Sequence, residues 1–309
     1  VITLTVAVCT RNRLPRLKEC LGSLANLFGI PERFDVLVVD NGSTDATGEF
    51  LAEWQQDGPG RTAIVEPLPG LSRARNAALR RSSSDVVLFV DDDALVPTAW
   101  AIAHAQEYEL DEKVGVAGGP IGLRWPAGCP TWIGPNVRQF FGALDHGDER
   151  IRFPTVHGPY GTNMSVRREA ALAVGGFDPR LGRVGRNLMS AEEPELTRRL
   201  REAGWGAAYA PAAAIVHQIS AERISRRWLL RRAWAQGVSS ARADQLAGDS
   251  NLRAQAGRSF ADFKAHAARI RRQSGRTDEQ LAALVIAVTK FAATLEYLRP
   301  HRPPTSPAR

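Results

Sequence analysis

Near-continuous apolar blocks alternate with helical segments along the first part of the chain. TLTVAVC (3–9), FDVLVVD (34–40), TAIVE (62–66) and DVVLFVD (85–91) are rich in Val, Ile and Phe and short enough for strands. Between them, 15–27, 44–54 and 72–81 read as helices. Strands apolar at successive positions are covered on both faces, and strands separated by helices pair in parallel. The pattern predicts an α/β fold, Rossmann-like, with a mostly parallel central sheet and helices on both faces. Ligands of such sheets lie beyond the carboxyl ends of the strands. Three polar clusters fall there: TRNR (10–13), DNGSTD (40–45) and DDD (91–93).

The pattern changes twice further on. Residues 118–162 become rich in Gly, Pro, Trp and Phe, which predicts a long irregular binding loop or lid. Helices are expected over 168–176 and 190–205, and an apolar stretch, 206–217, ends in His217. From about residue 220 the sequence turns helical and Arg-rich. We divide the chain into a domain over 1–220, a basic helical extension over 221–298 and a disordered tail over 299–309.

Composition alters this picture in one respect. The chain has 40 Lys and Arg against 33 Asp and Glu, yet 17 of the basic and 7 of the acidic residues lie in 221–309. The rest holds 23 against 26, so the positive excess belongs to the tail and gives no ground for a nucleic-acid-binding domain. Cys9, Cys20 and Cys129 are odd in number and lack metal-type spacing, which argues against a disulfide framework. VITLTVAVCT lacks the basic start of a leader, and the best membrane-spanning stretch, 281–298, is interrupted by Lys290 and Glu296. The expected location is the cytoplasm, free or peripheral at the inner face of the membrane.

The candidate chemistry starts at DDD. A turn accommodates one Asp, whereas three adjacent carboxylates need a counter-charge, and their oxygens suit a hard cation such as Mg2+ or Mn2+. Asp91 and Asp93 share a face if the chain stays extended there. Asp40 and Asn41 end the second strand, where they shape a turn or recognise a base or ribose. Arg73 and Arg75, before Asn76, form either a solvated face or an anion site. In SAEEPEL (190–196), Ser190 and Glu193 fit a capping box, and the same place suits a general base. His217 by itself is a structural residue or a ligand.

Taken in order, CTRNR, VVDNGSTD, SRARNAAL, FVDDDA, GTNMSVRR with GGFD, an acidic pair before ELTRRLREAGW, and then His217 form a series. Over residues 3–220 it resembles the family 2 glycosyltransferases, nucleotide-sugar enzymes of the GT-A fold. The resemblance implies Mn2+ or Mg2+ held by Asp91, Asp93 and His217, and a UDP-, dTDP- or GDP-linked sugar as donor. It implies that Thr10, Asp40, Asn41 and Arg75 hold the nucleoside. Arg11, Arg73 and Asn76 join them on the donor side, and Asp92 flanks the metal ligands. Asn163 falls in the loop expected to face donor sugar and acceptor. Glu193 matches the catalytic base and Glu192 its partner. The implied reaction moves one sugar, with inversion, to a hydroxyl of a saccharide, lipid-linked or other acceptor in bacterial glycan, polysaccharide or glycoconjugate synthesis.

This chain departs from the family pattern at three places. The acidic pair is Glu-Glu where Glu-Asp is usual, and Asn41 stands where a second Asp is common. The Q-x-x-R-W element of processive members has only ISRRW (224–228) in its place, which predicts single-sugar transfer. Beyond the resemblance, ERISRRWLLRRAWAQG (222–237) mixes five arginines with large apolar residues. That suits a helix packed on the catalytic domain with a basic outer face, or a peripheral membrane contact. A reading of another class stands beside the enzyme: a non-catalytic binding module whose basic tail docks on membrane or nucleic acid.

Overall fold

The computed structural model describes residues 2–27, 34–153, 159–185, 187–249, 251–272 and 277–299. Its strands are β1 (Leu4–Thr10), β2 (Phe34–Asp40), β3 (Arg61–Val65), β4 (Val86–Asp91), β5 (Ala94–Leu95), β6 (Val114–Gly118), β7 (Ile121–Arg124), β8 (Ile151–Arg152), β9 (Asn163–Arg167), β10 (Gly206–Tyr209) and β11 (Ile215–Gln218). The helices are α1 (Leu14–Leu24), α2 (Thr47–Trp54), α3 (Leu71–Arg81), α4 (Trp100–Leu110), α5 (Arg168–Ala173), α6 (Glu192–Glu202), α7 (Arg226–Leu246), α8 (Leu252–Arg272) and α9 (Thr277–Tyr297).

The main sheet has the order β3-β2-β1-β4-β9-β6-β10-β8, and a smaller one has the order β5-β11-β7. β1 to β4 are parallel, as the alternating pattern requires. β9 enters antiparallel between β4 and β6, which that pattern does not foreshadow. The strands are two-faced with a period of two. Leu4, Val6 and Val8 of β1 and Val86, Leu88 and Val90 of β4 pack with α1, α2 and α4. Ala7, Val87 and Phe89 face the other way, onto α3, α5 and α6. A one-residue slip would exchange these faces, and each buried Val or Leu is worth about 1.5–3 kcal/mol, so the register is strongly specified.

Element ends moved where side chains outcompeted the helix. α2 starts at Thr47 because Asp45 accepts from the Thr47 N–H and hydroxyl. The expected capping box on α6 does not form. Its N-cap is Ala191, in the left-handed region at φ 78°, while the Ser190 hydroxyl donates to Gln236. The apolar stretch 206–217 is two strands: β10 lies in the main sheet, and β11 belongs to the small one.

The aromatic segment after residue 118 is not an open lid over its described part. Ile133, Val137 and Phe141 are buried with Ile219, Leu229, Ala233, Leu281 and Val285, so this segment and the C-terminal helices share a core. Phe141 stacks on Trp228 at 5.2 Å. Residues 154–158 lie outside the described ones. In α7 the buried Leu229, Ala233, Gly237 and Ala241 recur every four residues and form one stripe. At Gly237 a Cβ would stand 2.0 Å from the Thr289 carbonyl oxygen, so α7 and α9 approach backbone to backbone.

Over Asp278–Tyr297, α9 is long and apolar enough to cross a membrane by length and composition, a test the interrupting Lys290 and Glu296 do not defeat. In this fold 56% of that window is buried, and Glu296 pairs with Arg242 of α7 at 2.8 Å. Helix packing therefore accounts for its apolarity. Of the tail expected over 299–309, residues 300–309 lie outside the described ones.

Candidate active site

The parallel register aligns the polar clusters at the carboxyl edge: Thr10 lies opposite Asp40, and Cys9 opposite Asp91. The chain turns after Asp91, so the three aspartates diverge: Asp91 turns to Arg75, while Asp92 and Asp93 share Arg13. Asp91 accepts from the Thr162 hydroxyl at 2.6 Å and lies 3.6 Å from Arg75. Asp92 is held by Thr10 Oγ1 at 2.8 Å and by Arg13 at 2.5 Å. Asp93 meets Arg13 at 2.7 Å, and Arg223 and His217 Nε2 both at 3.3 Å. Burial pushes Asp92 up to about 7 against the pull of Arg13. Asp93 is as deeply buried, but His217, Arg13 and Arg223 overcome that and hold it well below the usual carboxylate range. Asp91 and Asp93 thus share no residue partner, contrary to the extended-chain expectation.

His217 reaches Asp93 because β11 pairs with β5, placing His217 opposite Ala94. Its Nδ1 lies 2.9 Å from the Phe141 carbonyl oxygen, an acceptor only, so Nδ1 carries a proton. In the neutral ring, the Nε2 lone pair then faces the Asp93 carboxylate. Arg223 meets both acceptors, its Nη1 lying 3.3 Å from His217 Nε2 and its Nη2 3.3 Å from Asp93, so a guanidinium already stands beside the pair where a cation would sit. One carboxylate and one imidazole are part of a donor set for a divalent cation. Among the described residues no group of three or more His, Cys, Asp or Glu could hold a metal by itself.

The second half of the site is built around Arg75. This buried guanidinium lies near the Phe89 and Phe177 rings, at 5.9 and 5.4 Å. Its Nη1 reaches Glu192 at 3.2 Å and Glu193 at 3.0 Å. The two glutamates differ. Glu192 is buried, its Oε2 has no hydrogen-bond partner, and burial and then the Glu193 charge push it up to about 8, so it is protonated at neutral pH. Glu193 is 13% exposed, and both its contacts, Arg75 and the Gly161 N–H at 3.1 Å, fall on Oε1. Geometry thus separates the pair into a neutral buried acid and a clamped, accessible carboxylate.

Several positions expected on the donor side are structural. Asn41 donates to the carbonyls of Glu66 and Leu68 and accepts from the Gly70 N–H, tying the 66–70 loop to β2. Asn76 exchanges both hydrogen bonds with the Phe177 backbone. Asn163 is wholly buried. It donates to the carbonyls of Pro120 and Ala213, so its Oδ1 accepts from Trp100 and from His104 Nε2. Ser165 then donates to His104 Nδ1 and accepts from Tyr108. This closed network leaves Asn163 nothing to offer a sugar; its role is to anchor the start of β9. Arg75, likewise, is spent on Asp91 and the glutamates. Asp40 is buried and accepts from the Ser43 N–H in a turn, while Arg11 and Arg73 are exposed.

Four contributors were not expected. Arg13 and Arg223 reach the aspartates from the loop after β1 and the segment before α7. Gly161 and Thr162 reach Glu193 and Asp91. TRNR and ERIS are visible in the sequence as basic clusters, but only the fold shows which arginine turns inward.

A mostly parallel sheet whose carboxyl edge gathers an aspartate triplet, a histidine and a clamped glutamate defines a GT-A-like nucleotide-sugar enzyme. The model of the family described as "Glycosyl transferase family 2" matches residues 5–175, and the chain belongs to that family. A glucosyl-dolichyl phosphate glucuronosyltransferase of Haloferax volcanii is 28% identical over 57% of this chain, which spans 56% of that relative's length. The succinoglycan biosynthesis protein ExoM of Rhizobium meliloti is 27% identical over 77% of this chain and 74% of its own. Among solved structures, the mannosyltransferase PcManGT of Pyrobaculum calidifontis, in complex with GDP-Man and Mn2+, has a TM-score of 0.60 at 20% identity, covering 94% of this chain and 87% of that one. It shares the fold.

Proposed function

We propose that the chain is a metal-dependent inverting transferase that moves a single sugar from a nucleoside diphosphate sugar to an acceptor hydroxyl, with Glu193 as general base. The observation that carries this reading is Glu193 itself, clamped through one oxygen by Arg75 and the Gly161 N–H, beside the aspartate triplet. Arg75 links the two halves, reaching from Glu193 at 3.0 Å to Asp91 at 3.6 Å. Glu193 takes the proton from the acceptor hydroxyl as the new bond forms. Arg75 keeps it oriented, and Glu192, protonated, avoids a second negative charge there. Asp93 and His217 are the residues that would hold Mn2+ or Mg2+, which stabilises the negative charge building on the departing diphosphate. Thr10 and Arg13 hold Asp92 beside them, and Arg223 adds positive charge on the same side.

The donor class follows the structural neighbours, whose complexes contain GDP-Man with Mn2+ and UDP. UDP-, dTDP- and GDP-linked sugars are the choices to screen. The acceptor class follows the relatives, one acting on a dolichyl-phosphate-linked sugar and one in succinoglycan biosynthesis. The missing Q-x-x-R-W element supports one sugar per encounter. We place the reaction in bacterial glycan assembly at the cytoplasmic side of the membrane.

Calorimetry with UDP-, dTDP- and GDP-sugars and Mn2+ tests this. One donor should bind in a Mn2+-dependent way, and Asp93→Ala should abolish its slow hydrolysis. Glu193→Gln should bind that donor as the unmodified protein does yet lose transfer by at least about 100-fold, the usual scale of general-base catalysis. Absence of nucleotide and metal binding across the donors would leave the non-catalytic binding module instead.

A further inference from the structure

Two arginines next to the glutamates have no acid of their own. Arg13 and Arg223 lie on Asp92 and Asp93, and Arg75 on Asp91 and the glutamates. Among the described residues, Arg183 and Arg232 have no carboxylate within ion-pair distance. Arg232, on α7, donates only through Nη1, to the Leu188 carbonyl and the Ser190 hydroxyl, both at a long 3.3 Å. Those residues lead directly into Glu192 and Glu193. Arg183 follows Gly182, where a Cβ would stand 3.2 Å from Glu192 Cδ, so this loop lies against the glutamates.

The two guanidinium groups also act on one another. Burial, and then the Arg183 charge, bring Arg232 down to about 10, against the weaker opposing pull of Glu192 and Glu193. Arg232 in turn acts on Tyr160, which is partly buried and adjoins the Gly161 that clamps Glu193. Like charges brought together away from water repel and lose hydration, and an anion between them relieves both costs. The guanidinium fork matches the oxygens of a phosphate or carboxylate.

We infer that Arg183 and Arg232 form an anion subsite on the acceptor side of Glu193, so that the acceptor carries a phosphate or carboxylate close to its reacting hydroxyl. This rests on Glu193 being the base. The donor diphosphate is proposed to lie by Arg13 and Arg223; Arg183 also acts on Arg223, and displacement by nucleotide is what separates the two sites. The anion could belong to a lipid-linked sugar phosphate or to an acidic sugar, which share this chemistry.

The test uses the full chain saturated with Mn2+ and whichever of UDP or GDP it binds, titrated calorimetrically with methyl phosphate and with methyl glucuronide. At least one should bind without displacing the nucleotide. Arg183→Gln and Arg232→Gln should each weaken it about tenfold or more, since each removes a charge-assisted contact. Arg232→Lys should retain part of the affinity. Preference for methyl phosphate assigns a phosphate-linked acceptor, and preference for the glucuronide an acidic sugar. Failure of both probes to bind, unchanged affinity in the Gln variants, or displacement of the probe by nucleotide overturns the subsite. If the nucleotide titration fails while the arginine-dependent anion binding persists, the catalytic reading falls and the anion site stands. The Gln variants replace the guanidinium with a neutral amide on a stem one methylene shorter, and their melting curves show directly whether the fold is intact.

Discussion

Gly161→Ala isolates the clamp on the base. Gly161 is buried and its φ is outside the left-handed region, so alanine fails there on space and not on torsion. The new methyl carbon would stand 2.1 Å from Arg75 Nη2 and 2.2 Å from Glu193 Oε1. Non-bonded contacts settle near 3.5 Å, so both side chains, or the Gly161 backbone between them, must retreat by more than 1 Å. Arg75 is buried between Phe89 and Phe177 and tied to Asp91 and Glu192, whereas Glu193 is the more exposed of the two. Glu193 therefore gives way more easily, losing its Arg75 and Gly161 contacts. A displacement of about 1 Å at a reacting group costs on the order of 100-fold in rate. Overpacking and the weakened ion pair cost roughly 1–3 kcal/mol of stability, a fall of a few degrees in Tm for a chain of this size. Single-turnover transfer and donor binding, measured on the same preparation, separate the effects: kcat should fall about 100-fold while donor affinity holds. In the alanine background, Glu193→Gln should add little, because the interaction it removes is already broken. Unchanged kcat with a normal Tm would refute the clamp, and a large loss of donor affinity would place Gly161 on the wrong side of the reaction.

Glu192 sets a pH dependence of stability. Its folded value, about 8, lies above the ordinary 4.5, so the native state binds the extra proton between those limits. The stabilising contribution is complete below about 4.5 and is lost as pH rises through 8, by on the order of a few kcal/mol at most. Thermal melts of Glu192→Gln should match the unmodified protein at pH 5 and exceed it at pH 9; parallel curves would contradict the assignment. Asn163→Ala should act on stability and not on donor recognition. It strands the Trp100 and His104 N–H groups and the Ala213 carbonyl, each costing about 1–3 kcal/mol when buried and unpaired, while the Pro120 carbonyl keeps the Ile215 N–H. A normal Tm with a raised donor KM would restore Asn163 to the sugar site.

The order of β1 to β4 and their helices was legible because it rests on local patterns. Apolar runs of five to seven residues separated by helical spacing have few other solutions. The candidate site was legible where chemistry sits at a strand end, as with Asp91 to Asp93, or at a helix start, as with Glu192 and Glu193. The hydrogen bonds that Asn41, Asn76 and Asn163 make within the fold were not legible, because a buried amide and a ligand-binding amide look alike in sequence. What distinguishes them is whether backbone groups from distant segments arrive to use their hydrogen bonds.

The amino-acid sequence by itself determined the α/β sheet, the carboxyl edge as the place of chemistry and the residue types gathered there. Only the tertiary structure decided how the charges divide. The turn after Asp91 sends Asp91 toward Arg75 and Asp93 toward His217, and the pairing of β5 with β11 brings that histidine within reach. Packing of α7 carries Arg232 from the basic tail to Leu188 and Ser190, just before the glutamate pair, and the segment before α7 carries Arg223 to Asp93. Charge pairing acts over a few ångströms in space, across separations of more than a hundred residues such as Asp93 to Arg223, and that distance is not written in any local stretch of the chain.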